Sequence, residues 1–309
     1  MSLVVARGLG RWYGQVVGIG DLDLVLEPGI VGLLGSNGAG KTTLMRLISG
    51  ELRPSRGELE VLGERPFANR RLHRELGWAP LSDALYDDLS ALAFVSLLAR
   101  LHGYSRSEAR TRAGDALERV GLGEARDRKL GGYSKGMRQR ARLAQAIVHQ
   151  PRLLVVDEPL TGLDPVARRS TLELFRSLAA EGKSLIVSSH VLHEVETLTR
   201  EVVLLNRGRL LARGRIEEIR ALLSHRPLRL AVRAREPRRL AQALMAFPDV
   251  ERLSLDELEG RIEVETRDVV LFEERLTKAA AELACGVRSL EPLDTNLESV
   301  FDYLLGGSA

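Results

Sequence analysis

The sequence predicts an α/β fold with an antiparallel β subdomain and a helical insertion, followed by a small α+β domain of ferredoxin-like order. Three observations predict it. A Gly-rich loop stands between a strand and a helix, short wholly apolar runs alternate with amphipathic helices, and the rhythm changes past Pro227.

Residues 3–13 and 22–26 alternate apolar and polar side chains, as antiparallel strands do before the loop arrives. Residues 30–34 form an apolar strand, 44–49 a helix, and Gly50 reads as its C-cap. From 92 to 101 apolar residues fall at helical spacing until Gly103. Ser105 and Glu108 then make a capping box that opens a second helix toward Val120. Residues 153–156 are wholly apolar and suit a strand buried on both faces, a pattern continued at 183–188 and 202–205. Asp164 and Pro165 supply an N-cap and a first-turn proline for a helix through Leu178, and 206–208 make a hairpin turn. Alternation of strands and helices places the ligand at the strand ends.

Past Pro227 the order is strand (228–232), helix (238–247), strands (250–255 and 261–265), helix (269–283) and strand (287–290), a βαββαβ unit. A last amphipathic helix is expected at 296–305, with Leu297, Val300, Phe301, Leu304 and Leu305 on one face. The expected domains are 1–224, with the helical insertion at about 84–150, and 225–309.

At 309 residues and 44% apolar, the chain can bury one large and one smaller core. Its single cysteine, Cys285, forms no intrachain disulfide and reads as packing in a reducing compartment. No apolar run approaches the roughly 18 residues of a spanning helix, and the first residues do not form a secretory signal. Residues 226–309 carry 12 basic against 16 acidic side chains, a net of −4, which leaves +7 of the total +3 on the first 225. That excess suits nucleotide or an anionic membrane face, although Arg-rich helices such as 106–119 also simply solvate a surface. No DNA-reading motif or aromatic platform is present, so no nucleic-acid partner is expected.

The loop at 35–42, GSNGAGKT, fills every fixed position of G-x-x-x-x-G-K-[ST] in its strand-to-helix setting, so the chain is expected to bind a nucleoside triphosphate. Polyphosphate oxygens need several donors at once. The backbone of Gly35, Ser36, Asn37, Gly38, Ala39 and Gly40 supplies them, with Thr43 on the first helical turn. Lys41 is expected to reach the β- and γ-phosphates and Thr42 to place its hydroxyl on Mg²⁺, at a helix start whose dipole favours anions. LLVVDE at 153–158 puts two carboxylates after a buried strand. Asp157 is the expected magnesium residue and Glu158 the general base. YSKGM at 133–137 precedes a helix over 138–149, so Ser134, Gly136 and that helix start would present donors to an anion. Alone, such a turn also reads as an ordinary helix cap.

The loop, YSKGM, LLVVDEP, Thr161-Gly162-Leu163-Asp164 and Ser188-Ser189-His190 occur in the order of ATP-binding cassette (ABC) ATPases, which residues 1–220 resemble. The resemblance implies a P-loop NTPase of ABC type, with ATP and Mg²⁺ bound. It implies a head-to-tail homodimer or paired cassette, in which YSKGM of one subunit closes over nucleotide on the other. Tyr13 in RWYG resembles the aromatic that stacks on adenine, Asp164 the loop residue linking the two sites, and His190 the switch histidine beside Glu158.

Two positions depart from the family pattern. Where Gly-Tyr-x-Pro-Gln is usual the chain has Gly77-Trp78-Ala79-Pro80-Leu81, and leucine can neither coordinate a cation nor hydrogen-bond. Ser36 stands where proline is frequent and should be harmless. One cassette, a YSKGM signature and an appended domain ending in LESVFDYLL look like the separate ATPase subunits of drug-resistance-type exporters. Such a subunit would sit at the cytoplasmic side of the cell membrane, held through polytopic permease subunits. A non-transport ABC ATPase acting as a regulator or mechanochemical switch is the alternative.

Overall fold

A computed structural model of the chain describes residues 2–82, 84–218, 228–256 and 259–293. The chain divides into two compact units, Met1–Ile216 and Glu217–Ala309. Ile216, placed short of the expected 224, belongs to the first because its side chain is buried and its N–H bonds the Arg200 carbonyl.

The first unit opens with β1 (Val4–Tyr13) and β2 (Val16–Leu26), an antiparallel hairpin, and continues into β3 (Ile30–Leu34) and α1 (Lys41–Ile48). The helix begins at Lys41, ahead of the expected start. Its C-cap is Ser49, and Gly50 follows with φ +77°. β4 (Arg56–Val61) pairs with β1 to complete a three-stranded antiparallel sheet, β2-β1-β4. A short α2 (Arg70–His73) leads to β5 (Leu76–Ala79).

The insertion follows as α3 (Ala91–Leu101), α4 (Arg106–Arg119) and α5 (Lys135–Ile147). Ser105 caps α4 through the Glu108 amide, while the Glu108 carboxylate pairs with Arg112. Ala109, Ala113, Ala116 and Leu117 face the neighbouring helices. The small side chains of the three alanines bring α4 close to α3 and α5 around Phe94, Val95 and Leu143.

Then come β6 (Leu153–Val156), α6 (Pro165–Ala180), β7 (Ser184–Ser189), α7 (Leu192–Glu196), β8 (Glu201–Asn206) and β9 (Arg209–Arg215). The second sheet runs β5-β6-β7-β3-β8-β9, parallel except for the β8–β9 hairpin. Every residue of β6 and β7 is buried, as strands covered on both faces require. Register positions the site. Ala79 pairs with Val156, Val156 with Val187, and Leu34 with Ser189, so Pro80, Asp157, Ser188 and Gly35 emerge side by side at one end of the sheet.

The second unit is β10 (Leu228–Ala234), α8 (Pro237–Leu244), β11 (Val250–Asp256), β12 (Arg261–Thr266), α9 (Val269–Leu283) and β13 (Val287–Pro292). Its sheet is antiparallel in the order β11-β12-β10-β13, the ferredoxin-like arrangement expected. Leu240, Leu244, Phe272 and Leu276 of the two helices pack on Leu230, Val232, Ile262 and Val264, and Cys285 is buried among them. The expected helix at 296–305 lies outside the described residues.

Candidate functional site

The loop between β3 and α1 curls because Gly38 and Gly40 adopt φ of +80° and +103°. A Cβ on Gly40 would stand 2.6 Å from the Gly18 carbonyl, so only glycine lets the loop approach β2 this closely. Gly40 is also the N-cap of α1 and brings no capping side chain. The first-turn amides therefore face the cavity with the positive end of the helix dipole.

That cavity holds about 270 Å³ and is lined by Ser36 through Thr43, with Tyr13, Val16, Val17, Gly18, Leu81 and Glu158. Lys41 is buried. Its Nζ donates to the Gly35 carbonyl at 2.6 Å and lies 3.3 Å from Oε1 of Glu158.

The strand ends gather the carboxylates. Thr42 Oγ1 donates to Asp157 Oδ2 at 2.7 Å, and Ser188 Oγ donates to Asp157 Oδ1 at 2.6 Å while accepting the Glu158 amide at 2.8 Å. Glu158 adopts φ +49°, a left-handed conformation that costs a non-glycine residue about 1–2 kcal/mol. Its backbone carbonyl accepts from Gln139 Nε2 at 2.8 Å, and its Oε2 accepts from Thr161 Oγ1 at 3.2 Å and from His190 Nδ1 at 2.9 Å. That bond fixes the proton on Nδ1 of a half-exposed imidazole. One buried carboxylate thus faces a cation, a hydroxyl and an imidazole.

Tyr13 lies at the mouth, half exposed, with the Arg11 guanidinium 5.0 Å from its ring centroid and exposed Val16 and Val17 beside it. Leu81 projects into the same cavity and is 53% exposed, so the position of the missing glutamine does face the site. Ser82 spends its hydroxyl on the Ala84 amide.

Ser134, Gly136 and Asp164 do not line this cavity. Ser134 caps α5 through the Met137 amide, and Asp164 caps α6 through the Val166 and Ala167 amides. The Ala167 amide first, then that of Val166, holds the Asp164 carboxyl below the usual carboxylate range. The two segments do meet each other. A Cβ on Gly136 would stand 3.2 Å from Leu163, and the Lys135 stem lies over Gly162.

Among the described residues no cluster of three or more His, Cys, Asp or Glu could hold a metal ion. The adjoining oxygens of Thr42 and Asp157 fit Mg²⁺ nonetheless, since that ion takes one or two protein oxygens and completes its shell with phosphate and water. Sequence reasoning missed Ser188 as the bridge between the Asp157 carboxylate and the Glu158 backbone amide, Thr161 as a donor to Glu158, and Gln139 altogether. Ser188 and Thr161 stood in recognised motifs, but their bonds depend on strand register and loop closure.

A glycine-cradled anion site at the strand ends of a mixed sheet, with an antiparallel subdomain before it and a helical insertion within it, defines a nucleotide-binding cassette. The family model described as "ABC transporter" matches residues 19–161, and the chain belongs to the ABC transporter family as an ATP-binding protein. It is 39% identical over 196 residues to the uncharacterized ABC transporter ATP-binding protein YxlF of Bacillus subtilis, covering 63% of this chain and 65% of that one. It is 35% identical over 249 residues to the daunorubicin/doxorubicin resistance ATP-binding protein DrrA of Streptomyces peucetius, covering 79% of this chain and 74% of that one. A solved structure titled "Structure of ATP binding subunit of ABC transporter" superposes with a TM-score of 0.65 at 30% identity, over 72% of this chain and 93% of that one.

Proposed function

We propose that this chain is the ATP-binding and ATP-hydrolysing subunit of an ABC exporter, driving transport through separate polytopic permease subunits. The observation that carries the reading is the convergence of Lys41, Thr42 and Glu158 on one cavity at the end of the parallel sheet, with Asp157 bonded to Thr42 behind it. The name of DrrA, a drug-resistance ATP-binding protein, supports the exporter class.

In this reading Lys41 is the cation that the β- and γ-phosphates claim, and Tyr13 offers its ring face to adenine. Glu158 accepts a proton from water as the water oxygen bonds to the γ-phosphorus. The bond from that phosphorus to the β–γ bridging oxygen breaks, and ADP leaves with its electron pair. His190, bonded to Glu158, orients the same water. Mg²⁺, when bound by Thr42 and Asp157, supplies charge neutralisation on the phosphate oxygens.

Ser134, Gly136 and Asp164 stand outside their own chain's cavity, which supports a head-to-tail homodimer or paired cassette whose second member uses them. No helix among the described residues is long and apolar enough to cross a membrane, so attachment at the cytoplasmic face would come through the permease. Residues 225–309 are assigned an accessory role on the dimer.

Leu81, which lines the cavity with no polar atom where the resembled family carries a glutamine, favours a second reading, a non-transport ABC ATPase working as a regulator or mechanochemical switch. Tagging the chain and identifying what co-purifies from detergent-solubilised host membranes decides between them. Stoichiometric recovery of a polytopic membrane protein supports the exporter subunit, and recovery of soluble partners alone supports the switch.

A further inference from the structure

We propose that Gln139 is a positioning residue for hydrolysis, holding Glu158 in the backbone conformation that aims its carboxylate into the site. The proposal rests on the reading of Glu158 as the general base.

Among the described residues seven non-glycine residues have positive φ, and Glu158 is the only one of them that is buried. The others occupy exposed or half-buried positions where solvent can serve their peptide groups. Glu158 has no such help, and its peptide groups are held from two sides. Ser188 Oγ takes its N–H, and its carbonyl accepts from Gln139 Nε2 at 2.8 Å and, at 3.3 Å, from the Thr161 amide within its own turn. The serine bond is accounted for by Asp157, which Ser188 also orients. The glutamine bond has no other evident purpose. Gln139 lies on α5, is 8% exposed, and spends its amide on a carbonyl 19 residues away.

Loss of that donor leaves the buried carbonyl with only the longer bond from the Thr161 amide and removes one of the three bonds that oppose relaxation of φ toward the right-handed region. Relaxation would swing the carboxylate away from Lys41, Thr161 and His190. Among the described residues Gln139 makes no hydrogen bond to Thr42 or Tyr13, the residues proposed to hold the Mg²⁺ and the adenine. The effect therefore falls on turnover rather than on nucleotide affinity.

A second amide on α5 provides the control. Gln145 Nε2 donates to the Trp78 carbonyl at 2.8 Å, the same chemistry anchoring the same helix to β5 instead of to Glu158. The test measures kcat for ATP and the dissociation constant of a fluorescent ATP analogue in the full chain, with Gln139→Met, Gln145→Met and Glu158→Gln against the parent. The expected result for Gln139→Met is a fall in kcat of at least about tenfold with affinity within about twofold, and for Gln145→Met both values within about twofold. Unchanged kcat in Gln139→Met, an equal fall in Gln145→Met, or a matching loss of affinity would overturn the proposal. Should Gln139→Met not fold, Gln139→Asn withdraws the same amide by one methylene and is read by the same criteria. A Glu158→Gln protein with parental turnover removes the reading itself. Abolished turnover there beside an unaffected Gln139→Met removes the proposal alone.

Discussion

The ammonium of Lys41 lies 3.3 Å from Oε1 of Glu158, and both side chains are almost wholly buried. The residue proposed to grip the phosphates and the residue proposed to activate water thus pair with each other, and in that reading an incoming triphosphate competes with Glu158 for the lysine. Burial makes that competition consequential, since little solvent reaches either charge.

Replacing Glu158 by Gln removes the competitor. Glu158→Gln is expected to bind ATP at least as tightly as the parent. Lys41→Ala is expected to bind more than about tenfold more weakly, because a charge-assisted phosphate contact is lost. Titration with a fluorescent ATP analogue measures both.

Leu81 occupies the cavity wall without a polar atom to offer. Leu81→Gln is expected to raise ATP turnover by several-fold, on the order of 1 kcal/mol of transition-state stabilisation. Indistinguishable rates, alone and with the partner, would remove Leu81 as a determinant.

Away from the site, His102 and His149 stack with ring centroids 3.8 Å apart. Nε2 of His149 donates to the Leu76 carbonyl, and Nδ1 is buried with no hydrogen-bond partner, so a second proton there has no acceptor. Burial first, then His102 and Lys183, push the His149 pKa down to about 4, while burial with His73 and Arg74 lowers His102. A folded pKa below the unfolded value of about 6.5 means stability is present above that pH and lost as pH falls toward 4. The expected loss is of the order of 3 kcal/mol from His149. Urea unfolding of the parent between pH 7.5 and 4.5 should show the slope, and His149→Phe, which keeps the stack without titrating, should flatten it.

In the second unit Phe272 is fully buried, with Phe247 at 6.3 Å between centroids. Phe272→Ala is expected to cost about 3–5 kcal/mol by opening a cavity. Hydrogen exchange should show lost protection in β10 to β13 with the amides of residues 30–48 unchanged, as separate cores require.

The phosphate loop was legible because its glycines are demanded by local backbone geometry, and the strands because β6 and β7 are apolar throughout. The ferredoxin-like order was legible from periodicity alone, with α9 spanning the expected 269–283. Bonds that cross the fold were not legible. Ser188 reaches Asp157 because Val156 pairs with Val187, and Gln139 reaches Glu158 because α5 packs beneath that strand end; neither register nor packing is written in a motif. Likewise Ser134 and Asp164 showed their capping chemistry in the sequence, whereas their place outside the cavity needed the fold.

The most direct test of the account is Mg²⁺-dependent release of phosphate from ATP by the purified chain and by Glu158→Gln, measured over a range of protein concentrations. The account predicts turnover in the parent that rises more than in proportion to protein concentration, as a dimeric site requires, and a loss of at least about 100-fold in Glu158→Gln. Equal turnover by the two proteins would contradict it.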